Sequence, residues 1–234
     1  MADGGGDEEI IRKADELEEA AEWHKQREFL AAHLDSSNPD VLWRVCRAIE
    51  NVLGFPDVKK DAKKKMAYES FECAKKALEL GPENSNCHQM YAVALSEIGE
   101  FEGSKAMINN LPTIKEHFQK AVELNPEDAM SHYLLGMWCF GVTDLSWIER
   151  KLASTLFGAP PKSTFEEALE SFKSGEEKKP GFYCDNRMML GKTHMKLGHK
   201  DEAREWLKKA LECPVRHPDD QKSQDEAKKL LRSL

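Results

Sequence analysis

An all-α solenoid of stacked antiparallel helix pairs is the fold this sequence predicts, and three observations predict it. A helix-ending motif followed by proline recurs, as KALELGP at 76–82, KAVELNP at 120–126 and ALECP at 210–214. Apolar and small residues between these motifs fall at helical spacing, and no strand-like alternation stands out. Gly and Pro total 24 of 234 residues, too few for a fibrous or disordered chain.

The prolines set the repeat. Pro82, Pro126, Pro180 and Pro214 are separated by 44, 54 and 34 residues. The last is the period of a tetratricopeptide repeat, and the others exceed it by ten and twenty. Two unequal insertions therefore disguise a tetratricopeptide-like α-solenoid. In the last unit Leu190 and Gly191 supply a large residue and then a small one for close packing. Gly198 ends that helix in the left-handed conformation. Ala203, Leu207 and Ala210 line the next helix at i, i+4 and i+7, and Pro214 stops it. The matching residues are Tyr91, Ala92, Gly99, Phe118, Ala121 and Pro126 in the second unit. The third has Leu135, Gly136, Ala168, Phe172, Gly175 and Pro180, and a more degenerate first unit has Val45, Cys46, Ala77 and Pro82. The plainer rival is a generic helical bundle with chance similarity.

The organisation follows in chain order. Residues 1–37 form an acidic N-terminal segment. Within it Ile10, Ala14, Leu17 and Ala21 predict one amphipathic helix over roughly 8–34, packed on the solenoid or on a partner. Residues 38–216 form the repeat domain, with insertions at 100–112 and 143–163. The second insertion carries Leu145, Ile148, Leu152 and Leu156 at helical spacing and predicts an added helix. Ser163 or Thr164 caps the helix after it, each with Glu three residues on. Residues 217–234 are a polar capping helix, which a solenoid needs.

Charge narrows the functional classes. The net charge is −8, but residues 1–22 hold nine acidic residues and two basic ones, so the remaining body is nearly neutral. That is not the footprint of a nucleic-acid binder. Cys46, Cys73, Cys87, Cys139, Cys184 and Cys213 lack CxxC spacing and are expected to be small reduced hydrophobes in a cytosolic protein. MADGGGDEE lacks the basic start and apolar run of a signal peptide. No stretch has the apolar length of a membrane span.

No residue set predicts catalysis. GAPPKST at 158–164 imitates a phosphate loop, but Pro161 stands where the second glycine is required and offers no N–H. His194 and His199 are five apart, the wrong spacing to share a helix face for a metal. Asp219 and Asp220 beside His217 have no nucleophile turn to serve and read as helix-surface polarity. No enzyme and no cofactor is expected.

Binding is what remains. The first helix of each pair lines the concave groove, at positions held by Trp43, Arg47, Gln89, Val93, Tyr133, Met137, Phe140, Met188, Lys192 and Met195. The paired Lys and Asn with which one subtype of these repeats grips a C-terminal carboxylate are absent, since Gln89, Val93, Tyr133 and Met137 occupy those positions. The groove reads as apolar and methionine-rich, suited to an amphipathic helix or a lipid acyl chain. The plainer reading is that the added helix, 144–157, fills it. Separately, KKDAKKK places Lys59, Lys60, Lys63, Lys64 and Lys65 in one positive spot. An acidic polymer surface could bind there by screened attraction. The plainer reading is a solvated helix start, although lysines there oppose the helix dipole. If the acidic segment shields this spot, removing residues 1–30 strengthens binding.

Several longer stretches carry a resemblance. NPDVLWRVCRA, MAYESFECAKKALEL, KEHFQKAVELNPEDAMSHYLLGMWCF, STFEEALESFKSGEEKKPGFY and LGKTHMKLGHKDEAREWLKKA resemble the regulator of microtubule dynamics family, over roughly residues 38–232 and including both insertions. The resemblance implies a tetratricopeptide-like, non-enzymatic protein that associates with microtubules. It implies action in the cytoplasm on the cytoskeleton, at the spindle and spindle poles, in chromosome segregation. A membrane-anchored relative works at contacts between endoplasmic reticulum and mitochondria and is linked to phospholipid binding. This sequence shows no such anchor, so permanent tethering is not expected. The family offers no motif for tubulin contact, and the lysine spot is the candidate taken from the residues themselves.

Overall fold

The computed structural model describes residues 4–158 and 161–234, and the described residues are helices and turns without strands. The chain divides into two compact units, 1–124 and 125–234. The first holds α1 (Gly4–Glu19), α2 (Trp23–Leu30), α3 (Pro39–Leu53), α4 (Lys60–Leu80), α5 (Ser85–Glu102) and α6 (Ser104–Leu124). The second holds α7 (Ala129–Thr143), α8 (Trp147–Phe157), α9 (Phe165–Lys178), α10 (Cys184–Lys196), α11 (Lys200–Leu211) and α12 (Pro218–Ser233).

The repeat phase read from the prolines is realised as helix pairs α3/α4, α5/α6, α7/α9 and α10/α11. Val45, Cys46, Ala77, Ala92, Phe118, Ala121, Ala168, Phe172, Leu190, Ala203, Leu207 and Ala210 are all buried. Asn38 starts α3, its side chain accepting from the Asp40 N–H with Pro39 next in line. Gly198 takes φ +79° after α10, and the His199 N–H closes back on the His194 carbonyl. Thr164, not Ser163, is the N-cap of α9, in a reciprocal bond with Glu167.

The insertions differ in kind. Residues 100–112 do not form a separate element: they close α5 and open α6, with only Gly103, at φ +93°, between them. α6 runs on through Pro112, forgoing one backbone hydrogen bond. Residues 143–163 do add a helix, α8, and α7 pairs with α9 across it. Ala159 and Pro160 of GAPPKST lie outside the described residues.

One N-terminal helix was expected, and the structure has two. α1 closes at Ala20–Glu22, where the Glu22 N–H bonds the Leu17 carbonyl at 2.9 Å and Ala21 sits at φ +56°. A Cβ at positive φ is strained. Ala21→Gly should therefore stabilise the first unit by about 1 kcal/mol in urea unfolding. A loss of stability would show that the Ala21 methyl contributes more packing than strain.

α1 and α2 belong to the core of the first unit. Ala14, Leu30, Val41, Leu42, Val45, Ala48 and Ile49 are buried together. Gln26 is fully buried and donates to the Ala14 carbonyl at 3.1 Å and to Glu18 at 3.0 Å, tying α2 to α1.

A half-buried acid sits between α3 and α4. Glu50 accepts from the Ser70 hydroxyl, and burial pushes its carboxyl up to about 8, with the Glu97 charge adding to the rise. The folded protein thus keeps a proton that the unfolded chain releases between the ordinary glutamate pKa and about 8. Stability contributed at this site falls as pH rises through that window. Glu50→Gln should stabilise the protein by about 2 kcal/mol at pH 7.5 and far less at pH 5. Equal effects at both pH values would contradict a protonated Glu50.

Candidate functional site

The five lysines are not one spot. α4 turns about 100° per residue, and Ala67, Ser70, Ala74 and Ala77 form its buried stripe. Lys63 stands one turn before Ala67 on that stripe. It is half-buried, and its charge acts on Glu97 of α5. Lys60 and Lys64 are stacked one turn apart beside the stripe and are exposed, as is Lys59, the residue preceding the helix. Lys65 is also exposed but rotated to the side that carries Asp61. None of the five forms an ion pair among the described residues. Lys59, Lys60 and Lys64 are therefore exposed together, with Lys63 partly held inside the protein.

The acidic segment does not shield this surface. Asp15 makes two bonds to the Arg44 guanidinium, at 2.7 and 2.8 Å. Glu18 pairs with Arg47 at 3.7 Å, and Asp7 accepts from Asn38 at 3.0 Å. These acids are spent on α3 and the turn before it. Removing residues 1–30 would strip Ala14, Leu17, Gln26 and Leu30 from the core, so it would unbalance the fold and not unmask lysines.

The same contacts change the reading of the groove positions in the first unit. Trp43 is buried, donates to Asp40 at 3.0 Å, and lies 3.9 Å from Arg44 and 4.6 Å from Arg47 in cation–π contacts. Arg47 reaches Gln89 at 3.0 Å and Asn86 at 3.2 Å. Gln89 is only 1% exposed, and Val93 packs against the core. This is a braced polar seam under α1, not an open apolar face.

In the second unit the positions are cross-linked by polar groups. The Tyr133 hydroxyl donates to Asp185 at 2.7 Å, and Ser223 of α12 donates to the other oxygen at 2.7 Å. Burial raises the Asp185 pKa, against the pull of those two bonds, and burial with the Asp185 charge raises Tyr133. Lys192 lies 5.8 Å from the Phe140 ring and 4.0 Å from Glu226 of α12. Phe140 and Met188 are buried, Met195 is half-buried, and Met137 is 36% exposed. α8 does not fill a groove here. Only its Ala153 is buried, while Trp147 and Ile148 are 73% and 72% exposed. The covering elements are α1 in one unit and α12 in the other. The sequence signalled both as helices, but not that they cover these positions, nor the Tyr133–Asp185–Ser223 link, because each depends on tertiary docking.

The titratable pairs are structural. His194 and His199 do meet, with Nδ1 atoms 3.3 Å apart, because Gly198 turns the chain back. His88 and His117 meet at 2.8 Å, and burial together with His88 lowers the His117 pKa. No group of three or more metal-ligating side chains is present among the described residues. His217 and Asp220 cap α12 reciprocally, and Asp219 is held down to about 2 by His217 and Lys222. No helix of the described residues is long and apolar enough to cross a membrane.

Residues 10–234 match the family described as Regulator of microtubule dynamics protein 1-3. The chain belongs to this family. Regulator of microtubule dynamics protein 1 of Bos taurus is 42% identical over 227 residues, covering 97% of this chain and 72% of that protein. The mouse protein 1 is 41% identical over 227 residues, covering 97% of this chain and 74% of that protein. Protein 3 of Bos taurus is 39% identical over 211 residues, covering 88% of this chain but 44% of that protein. Among solved structures, a tetratricopeptide protein of Thermus thermophilus superposes with a TM-score of 0.62 at 16% identity, covering 94% of this chain and 97% of that one. That likeness supports the fold alone. The regulator of microtubule dynamics match starts inside α1 and ends with the chain. Asp15 and Glu18 of α1 and all of α2, which brace α3, therefore fall within the family region.

Proposed function

We propose that the protein is a non-enzymatic microtubule-associated regulator acting in the cytoplasm, in spindle organisation and chromosome segregation. Family membership supports the microtubule reading, and the Lys59–Lys60–Lys64 surface carries the proposed contact. These are exposed, unpaired cations on a nearly neutral body, suited to an acidic polymer. Attraction of this kind is salt-sensitive and tolerant of exact pose, as a contact with a repeating lattice requires. The test follows growth and shrinkage of single microtubules from purified tubulin with the purified chain added. A concentration-dependent change in either rate is expected. Unchanged rates at saturating protein would remove the direct regulator reading.

A further inference from the structure

Two thiols in the second unit stand apart from the other four. Cys184 opens α10, and its Sγ lies 3.4 Å from the Ala210 carbonyl and 3.6 Å from that of Asp220. Cys213 follows α11, and its N–H approaches the same Ala210 carbonyl at 3.4 Å. The two thiols are close enough to shift one another's protonation. Arg187 brings its Nη1 to 3.7 Å from the Cys213 sulfur. That guanidinium is fixed by Glu176, 2.9 Å from both Nε and Nη2. A cation is thus aimed at the Cys213 sulfur, which also lies 3.5 Å from the Lys209 carbonyl, while the Cys184 sulfur faces the Ala210 and Asp220 carbonyls. Cys213 keeps 7% of its surface exposed, at a turn.

We propose that Cys213 and Cys184 form a peroxide-responsive pair, in which Cys213 is oxidised first and Cys184 closes a disulfide. The Cys213 thiolate attacks one oxygen of hydrogen peroxide, giving the sulfenic acid and releasing hydroxide, which solvent protonates to water. The Cys184 sulfur then displaces the sulfenic oxygen, which leaves as water with the Cys184 proton. Peroxide receives two electrons and the thiols lose them. The roles follow from the surroundings. Cys184 and Arg187 hold Cys213 down to about 7, while Cys213 and burial keep Cys184 protonated. By contrast, Cys46, Cys73 and Cys87 lie in the core of the first unit, and among the described residues their sulfurs meet backbone carbonyls and no hydrogen-bonding cation. Burial raises Cys46 and pushes Cys87 up to about 12. The disulfide would pin the start of α10 to the turn before α12.

The experiment treats the reduced full chain with stoichiometric hydrogen peroxide at pH 7, then alkylates and digests it without reduction. Mass spectrometry should find a Cys184–Cys213 cross-linked peptide as the main oxidised product. In Cys184→Ser the sulfenic acid at Cys213 should persist and be captured by dimedone. In Arg187→Gln the reaction should slow about tenfold, as its thiolate fraction falls. Because a variant could misfold, the unmodified protein also decides the matter. Under limiting iodoacetamide at pH 7 its Cys213 should be labelled before Cys46, Cys73 and Cys87. No cross-linked peptide, or labelling of Cys213 no faster than those three, would overturn the proposal.

Discussion

Gly191→Val is expected to destabilise the second unit by about 3 kcal/mol or more, enough to leave a large unfolded fraction at 37 °C. A Cβ at Gly191 would lie 2.6 Å from Leu207 Cγ and 3.2 Å from the Ala203 carbonyl. Leu207 is fully buried, and a carbonyl oxygen moves only if α11 moves. Valine is a better helix former than glycine by a few tenths of a kcal/mol, so the helix alone would favour the change. The clash outweighs that gain severalfold. Adding Leu207→Ala should recover part of the loss, which a double-mutant cycle in urea unfolding would read as coupling. The same logic holds at Gly136, where a Cβ would meet the Phe172 ring at 2.7 Å. Wild-type stability in Gly191→Val would mean that α10 and α11 are not packed as described.

Lys60→Glu with Lys64→Glu is expected to weaken microtubule pelleting by about tenfold or more. An exposed pair is worth up to about 1 kcal/mol, and reversal turns attraction into repulsion at two sites. The same change should not harm the fold, because both residues are exposed and a glutamate at position 60, the start of α4, suits the helix dipole where lysine opposes it. Lys65→Glu, on the Asp61 side of the helix, should weaken pelleting far less. A loss from Lys65→Glu of half the double variant's, in free energy, would mean that binding follows net charge and not this face, since the double variant changes twice the charge.

The fold was legible where the repeat imposes its own chemistry. Gly191 and Gly198, the small residues facing Leu207 and Phe172, and the turn prolines are spaced by the pairing of helices, so their period carried over to the structure. The break after α1 was not legible, because nothing in Ala21 announces a left-handed residue. Helical spacing in 143–163 revealed α8 but not its exposure, since a period of apolar residues does not say what covers them. For the same reason the groove positions were placed on the right helices and given the wrong surroundings. α1 and α12 dock over them through Arg44, Arg47, Asp185 and Ser223, contacts between residues far apart in sequence. The lysine cluster was visible as composition. Only the helix phase separated Lys60 and Lys64 from Lys63, which turns toward Glu97.

Co-sedimentation of the purified chain with stabilised microtubules across a salt series tests the electrostatic contact most directly. Pelleting that is substantial at low salt and fades as the screening length shortens is the predicted result. No pelleting at low salt, or pelleting indifferent to salt, would contradict a lysine-borne contact.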